Sequence, residues 1–243
     1  MQAHPLAIAH RGASGIMPEN TRLAFVKALD LGADALEFDV QLTRDEVPVV
    51  IHDETLDRTT SGTGAVADHD LADIVGLDAG SWFTASYSNV TVPTLEEVLS
   101  TFAPKITCNI ELKPDKRVSQ LVRHALTVVA RCDAFANVIF SSFSADALRE
   151  IHKHSPDARI GILTERGGLA RSFKLAAETG AETLNPPVGM VDRPLVTECH
   201  ERGLGVLAWT ANEQGEIALL SALGVDGIFS DHPDRVRKQG AAV

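Results

Sequence analysis

The chain has 243 residues, of which 44% are hydrophobic and 23% charged, a globular composition that excludes disorder, collagen and coiled coil. At about 150 residues per domain that length leaves open one large domain or two small ones, and either buries a core without disulfide staples. With 22 basic against 33 acidic residues the formal net charge is −11, so nucleic acid and anionic lipid are repelled at long range and neither is an expected partner.

Met1 to His10 lacks a basic region followed by a long apolar run, so no signal peptide is expected. No stretch approaches the roughly 18 apolar residues of a membrane span, which argues against stable membrane association. Cys108, Cys132 and Cys199 are odd in number and widely spaced. That pattern suits a reducing compartment, and the expected location is cytoplasmic.

Along the chain, short apolar runs alternate with helical patterns. Leu6–Ala9 reads as a first strand and Thr21–Leu31 as a helix stopped by Gly32, with Asn20 a good N-cap candidate. Ala35–Val40 is a second strand. Pro48–Ile51 follows too closely for a helical crossover, so the two runs are predicted to form an antiparallel hairpin. A turn near Arg44–Glu46 makes paired residue numbers sum to about 89 or 90, returning His52 opposite Glu37 or Phe38.

The next stretch is rich in Gly, Asp, Ser and Thr and has no long periodic run. Loops of such length are uncommon unless functional, so an inserted cap over the barrel mouth is expected. Its Trp82, Phe83 and Tyr87 either anchor the insertion or face a quaternary ammonium group. Strands and helices then resume: Ile106–Leu112, Val118–Arg131, Val138–Ser141, Ala145–His154 capped by Ser144, Arg159–Leu163 and Leu169–Glu178. Glu182–Leu184, Pro194–Arg202, Gly205–Trp209, Gly215–Leu223, Gly227–Phe229 and a helix from Pro233 complete the series. The alternation predicts an α/β fold, a (β/α)₈ TIM barrel in one domain over 1–243, with the insertion at about 54–92.

In such a barrel the chemistry sits at the C-terminal ends of the strands. Those ends carry His10-Arg11-Gly12, Glu37-Phe38-Asp39, Glu111-Leu112-Lys113, Trp209-Thr210 and Ser230-Asp231-His232, and the hairpin brings in His52-Asp53. The period of two puts Glu37 with Asp39, and Glu111 with Lys113, on shared faces. Any one of these is commonly structural: a Glu-x-Asp pair is usually salt-bridged, a strand-end histidine usually hydrogen-bonded, and Trp209 ordinarily packing. Their common placement at one end of the barrel points to a site.

Converging carboxylates repel one another without a cation, and these hard oxygen donors favour one divalent ion, Mg²⁺ or Ca²⁺, over Zn²⁺. Glu37, Asp39 and Glu111 against that ion, Arg11 and Lys113 leave one net positive charge, which suits a singly charged phosphodiester.

The ordered set His10-Arg11-Gly12, Pro18-Glu19-Asn20-Thr21, Glu37-Phe38-Asp39-Val40, His52-Asp53, Glu111-Leu112-Lys113 and Trp209-Thr210 resembles the glycerophosphodiester phosphodiesterases, relatives of the phosphatidylinositol-specific phospholipases C. The resemblance covers essentially the whole chain and implies a barrel with an insertion after the second strand. It implies metal ligation by Glu37, Asp39 and Glu111, acid–base roles for His10 and His52, and substrate binding by Arg11, Lys113 and Trp209. Glu19 is a ligand or a supporting residue. The substrate implied is a small glycerophosphodiester, cut to glycerol 3-phosphate and an alcohol, with His10 assigned as base and His52 as acid. That direction, direct water attack against a cyclic phosphate, the head group and the oligomeric state are left open. The competing readings are a barrel lyase with Lys113 as Schiff-base nucleophile, a phospholipase-like phosphodiesterase, and a non-catalytic phosphate-ester sensor.

Overall fold

Hydrogen bonding between successive apolar runs closes a barrel in the computed structural model, which describes residues 4–240. The first half runs β1 (Leu6–Ala9), α1 (Arg22–Asp30), β2 (Ala35–Leu42), β3 (Pro48–Val50), a short α2 (Leu71–Ile74), α3 (Leu95–Phe102), β4 (Thr107–Leu112) and α4 (Val118–Arg131). The second half runs β5 (Val138–Ser142), α5 (Ala145–His154), β6 (Arg159–Leu163), α6 (Leu169–Thr179), β7 (Thr183–Asn185), α7 (Arg193–Glu201), β8 (Gly205–Ala208), α8 (Gln214–Leu223), β9 (Gly227–Ser230) and α9 (Pro233–Gly240). Eight strands, all but β3, are parallel, and β1 pairs with both β2 and β9 to complete the ring. This is the (β/α)₈ barrel expected from the alternation.

The hairpin is present, with Val40 opposite Val50 and Leu42 opposite Pro48, so paired numbers sum to 90. The period of two sorts each strand into two rows. Leu36, Phe38, Val40 and Leu42 of β2 point outward into the main core beneath the helices, as do Cys108, Ile110 and Leu112 of β4. The inward rows begin apolar and end polar. Ile8, Ala35, Leu207 and Phe229 form a plug inside the barrel, with Trp209 packed against it. Two residues further along the same rows come His10, Glu37 and Asp231. Barrel stability and barrel chemistry are thus stacked along one axis.

Helix ends follow their caps. Ser144 Oγ accepts from the Ala147 N–H at 3.2 Å, as its position before α5 suggested. Asn20 does not cap α1. Thr21 does, accepting from the Ala24 N–H at 3.2 Å, while Asn20 sits one residue earlier with a left-handed φ of 57°. α3 has a capping box, Thr94 with Glu97, that a reading centred on strand–helix alternation passes over.

The insertion is more structured than its composition suggests. It builds a second small core of Val49, Ile51, Leu56, Val66, Ile74 and Val92 against the hairpin. Trp82 meets Phe83 edge-on and Phe83 lies tilted against Tyr87, with centroids 5.6 and 6.1 Å apart. They line no part of the cavity described below. Of the two roles open to them, the anchoring cluster is the one this packing supports.

Candidate active site

Strand register assembles the acidic centre. β2 and β4 pair so that Asp39 lies beside Glu111 and Glu37 beside Asn109. Glu37 and Asp39 share the inward row of β2, which places all three carboxylates together. One oxygen from each of Glu37, Asp39 and Glu111 falls within 4.8 Å of the others. Oxygens around a single Mg²⁺ or Ca²⁺, each at about 2.0–2.6 Å, lie within about 5 Å of one another. Asp39 Oδ1 is buried without a hydrogen-bond partner. The donor set and the unsatisfied oxygen both fit a hard divalent cation.

The loop after β1 orients two of the three carboxylates, Glu37 and Asp39. The Arg11 N–H donates to Glu37 Oε2 at 2.9 Å. Asn20 Nδ2 donates to Asp39 Oδ2 at 2.8 Å, and the Asp39 N–H donates to Asn20 Oδ1 at 3.2 Å. Arg11 and Asn20 both adopt left-handed backbone (φ 55° and 57°), which turns the loop back over β2. Between them, Gly12 has φ +83°, and a Cβ there would stand 2.7 Å from Ala24 Cβ. Only glycine meets both conditions.

Burial and mutual repulsion set the protonation of this centre. Burial first, then the charge of Asp39, pushes Glu37 up to about 8. The same two causes push Glu111 up to about 7. Burial also opposes ionisation of Asp39, but Arg11 and Lys113 outweigh it and hold this carboxyl below its usual range. Lys113 Nζ lies 3.0 Å from Glu111 Oε1 and 3.5 Å from Asp39 Oδ1, and Arg11 Nε lies 3.4 Å from Asp39 Oδ2.

Two histidines flank the centre, each with a carboxylate behind it. His10 Nδ1 lies 2.7 Å from Asp231 Oδ1, to which Ser14 Oγ also donates, while Asn212 Nδ2 donates to Asp231 Oδ2. His52 Nδ1 lies 2.6 Å from Asp53 Oδ1. In both cases the anchored nitrogen leaves Nε2 for the cavity. Burial lowers His10, but the hydrogen bond to Asp231 and the charge of Glu37 outweigh it and raise its pKa. Burial lowers His52, and with Arg11 and Lys113 it prevails over the opposing pull of Asp39 and Asp53. The His52 loop is fixed from beneath: Gln41 Nε2 donates to the carbonyls of Ile51, His52 and Asp53.

A cavity of about 170 Å³ opens over this set. His10, Arg11, Glu37, His52, Glu111 and Lys113 line its polar side, and Phe143, Leu163, Trp209 and Phe229 its apolar side. Trp209 stands edge-on to Phe143 at 5.7 Å and donates through Nε1 to the Asn185 carbonyl at 2.8 Å. Asp39, expected with the others, lies beneath them and is 1% exposed. Glu19 is outside the carboxylate triad. It takes Arg11 at 2.8 Å and two hydrogen bonds from Arg58 of the insertion, also at 2.8 Å. Arg58 in turn grips both oxygens of Asp53 at 2.7 and 2.9 Å.

Sequence reasoning brought together the histidines, the carboxylates, Arg11, Lys113 and Trp209. It passed over Arg58, Phe143, Gln41 and the partner role of Asp231. Arg58 carried no spacing signal. Gln41, by contrast, shares the parity of Glu37 and Asp39 and could have been read from it.

No helix among the described residues is long and apolar enough to cross a membrane. The model of the glycerophosphoryl diester phosphodiesterase family matches residues 10–235. A glycerophosphodiester phosphodiesterase of Caldanaerobacter subterraneus is 39% identical over 241 residues, covering 97% of this chain and 99% of that one. One from Bacillus subtilis is 37% identical over 252 residues, covering 96% and 85%. A solved phosphodiesterase of Oleispira antarctica, in complex with the product sn-glycerol 3-phosphate, superposes with a TM-score of 0.89 at 31% identity, covering 98% of both chains. The chain therefore belongs to the glycerophosphoryl diester phosphodiesterase family of phosphoric diester hydrolases.

Proposed function

We propose that this protein is a metal-dependent glycerophosphodiester phosphodiesterase that releases glycerol 3-phosphate and an alcohol by paired histidine acid–base catalysis. The observation that carries the reading is the juxtaposition of two carboxylate-anchored histidines with a three-carboxylate centre around one cavity. Glu37, Asp39 and Glu111 would hold a Mg²⁺ or Ca²⁺ ion, which supplies Lewis-acid polarisation and cancels acidic charge.

Arg11 and Lys113 bind the non-bridging oxygens of the scissile phosphate and stabilise charge as bonding at phosphorus changes. Lys113 is suited to this because Asp39 and Glu111 overcome the effect of burial and raise its pKa. A Schiff-base lysine needs the opposite shift, which disfavours the lyase reading. His10, held by Asp231, removes the proton from the attacking group, either water itself or a glycerol hydroxyl whose cyclic phosphate water then opens to glycerol 3-phosphate. His52, held by Asp53, delivers a proton to the departing alkoxide. The P–O bond to the alcohol breaks as the new P–O bond forms. Phe143 and Trp209 shield one wall of the cavity from water.

A coupled assay for glycerol 3-phosphate across several head groups, with and without each cation, tests the whole reading. His10→Ala and His52→Ala are each expected to lower turnover by about 10²–10⁴-fold with the fold intact. Unchanged turnover after EDTA treatment would remove the metal from the mechanism, and near-normal turnover in either variant would remove that histidine.

A further inference from the structure

Phe143 and Leu163 belong to two cavities at once. On one face they wall the catalytic pocket, and on the other they border a groove of about 540 Å³ running along α5 and α6. In a chain of net charge −11, this groove is lined by Arg149, Arg166, Arg171 and Lys174, with Glu165 its one acid. Arg149 and Lys174 share Glu178, at 3.0 and 3.8 Å. Arg166 has only the Gly189 carbonyl at 3.5 Å, and Arg171 has no polar partner among the described residues. Two guanidinium groups therefore stand uncompensated beside the exit from the catalytic pocket. A second groove that Phe143 also borders carries Glu54, with Glu111 paired to Lys113 and Asp115 paired to Arg117. It offers an anionic arm no guanidinium free of a carboxylate, whereas the α6 side offers two.

We infer that the α5–α6 groove is a subsite for a second phosphate, carried by the leaving alcohol of the substrate. This rests on the phosphodiesterase reading and narrows it. With the scissile phosphate between Arg11 and Lys113, the alcohol leaves past Phe143 and Leu163, and a phosphate attached to it meets Arg166 and Arg171. The favoured substrates are then glycerophosphodiesters of phosphorylated alcohols, over those of choline, ethanolamine or free glycerol.

A matched pair isolates the effect. Glycerophosphoglycerol and bis(glycerophospho)glycerol present the same scissile linkage, and the second differs by one further phosphodiester on the leaving glycerol. Symmetry alone favours the larger compound by about twofold. A charged arm held by two guanidinium groups should raise that preference in kcat/KM to about tenfold or more. The exposed double variant Arg166→Gln/Arg171→Gln should return it to about twofold, with kcat/KM for glycerophosphoglycerol and glycerophosphocholine changed less than twofold. A preference of only twofold in the unmodified protein, or one that survives the double substitution, overturns the inference while leaving the phosphodiesterase reading standing. No turnover of either compound by folded, cation-loaded protein would instead remove the phosphodiesterase reading itself.

Discussion

Asp231 holds His10 from across the closed barrel, 221 positions away in the chain, through a 2.7 Å contact to Nδ1. The carboxyl is itself drawn down to about 2, since its bonds to His10, Asn212 and Ser14 outweigh the effect of burial. It is ionised wherever the enzyme works, and it both raises the proton affinity of His10 and fixes which ring nitrogen faces the cavity. Asp231→Asn keeps the shape and removes the charge. Turnover is expected to fall by about 10²–10³-fold, less than or equal to loss of the imidazole itself. The pKa of His10 should also fall, moving the acidic limb of the kcat/KM profile to lower pH. A profile unmoved in this variant would mean that the limb belongs to another group. The imidazole was legible in the sequence because His10 ends a strand, whereas its partner was not, because only barrel closure brings β9 beside β1. Asn20 shows a different failure. Its position before a helix suits a cap, yet its left-handed backbone turns the side chain onto Asp39, a preference that local sequence does not encode.

At the scale of elements, Arg58 cross-links the insertion to the loop after β1. Arg58 bridges Glu19 on one side and Asp53 on the other, and Asp53 is the anchor of His52. The guanidinium is 43% exposed, so its ion pairs are screened and contribute about 1 kcal/mol or less each to stability. Its effect on orientation is larger, because both oxygens of Asp53 are held in one geometry. Arg58→Ala should therefore shift Tm by only a few degrees while lowering kcat by about 10–100-fold, with KM changing less. Arg58→Lys, which keeps the charge but loses the planar fork, should restore stability more fully than rate. A variant with unchanged kcat would reduce Arg58 to a surface tie. The hairpin itself was readable from chain length, since Pro48 follows Val40 too closely for a helix. The fold of the insertion was not, because its core is partly borrowed: Val49 of β3 and Ile51 just beyond it supply apolar surface that the inserted residues lack.

Over the whole molecule, the arrangement of carboxylates sets a conflict between folding and ionisation that a cation resolves. An unfolded chain ionises Glu37 and Glu111 near the ordinary glutamate value, about 4.3. In the folded chain burial and Asp39 push them up to about 8 and about 7. Between these limits the native state binds more protons than the unfolded state, so metal-free stability falls as pH rises. The stability is fully present below about 4.5 and is lost progressively as pH rises through 7 to 8. Lys113, Arg11 and Asp39 do not reverse the sign, since all three are already charged throughout this range. A divalent ion favours the ionised carboxylates, so its binding should release protons and tighten as pH rises. Calorimetry on EDTA-treated protein should show a Tm that declines from pH 5.5 to pH 8.5, and saturating Mg²⁺ or Ca²⁺ should raise Tm more at the higher pH. Titration in buffers of different ionisation enthalpy should report the proton release directly. Equal stabilisation at both pH values, with no buffer dependence, would mean that the cation does not engage Glu37 and Glu111, and the three carboxylates would then be a structural cluster held by Arg11 and Lys113 alone.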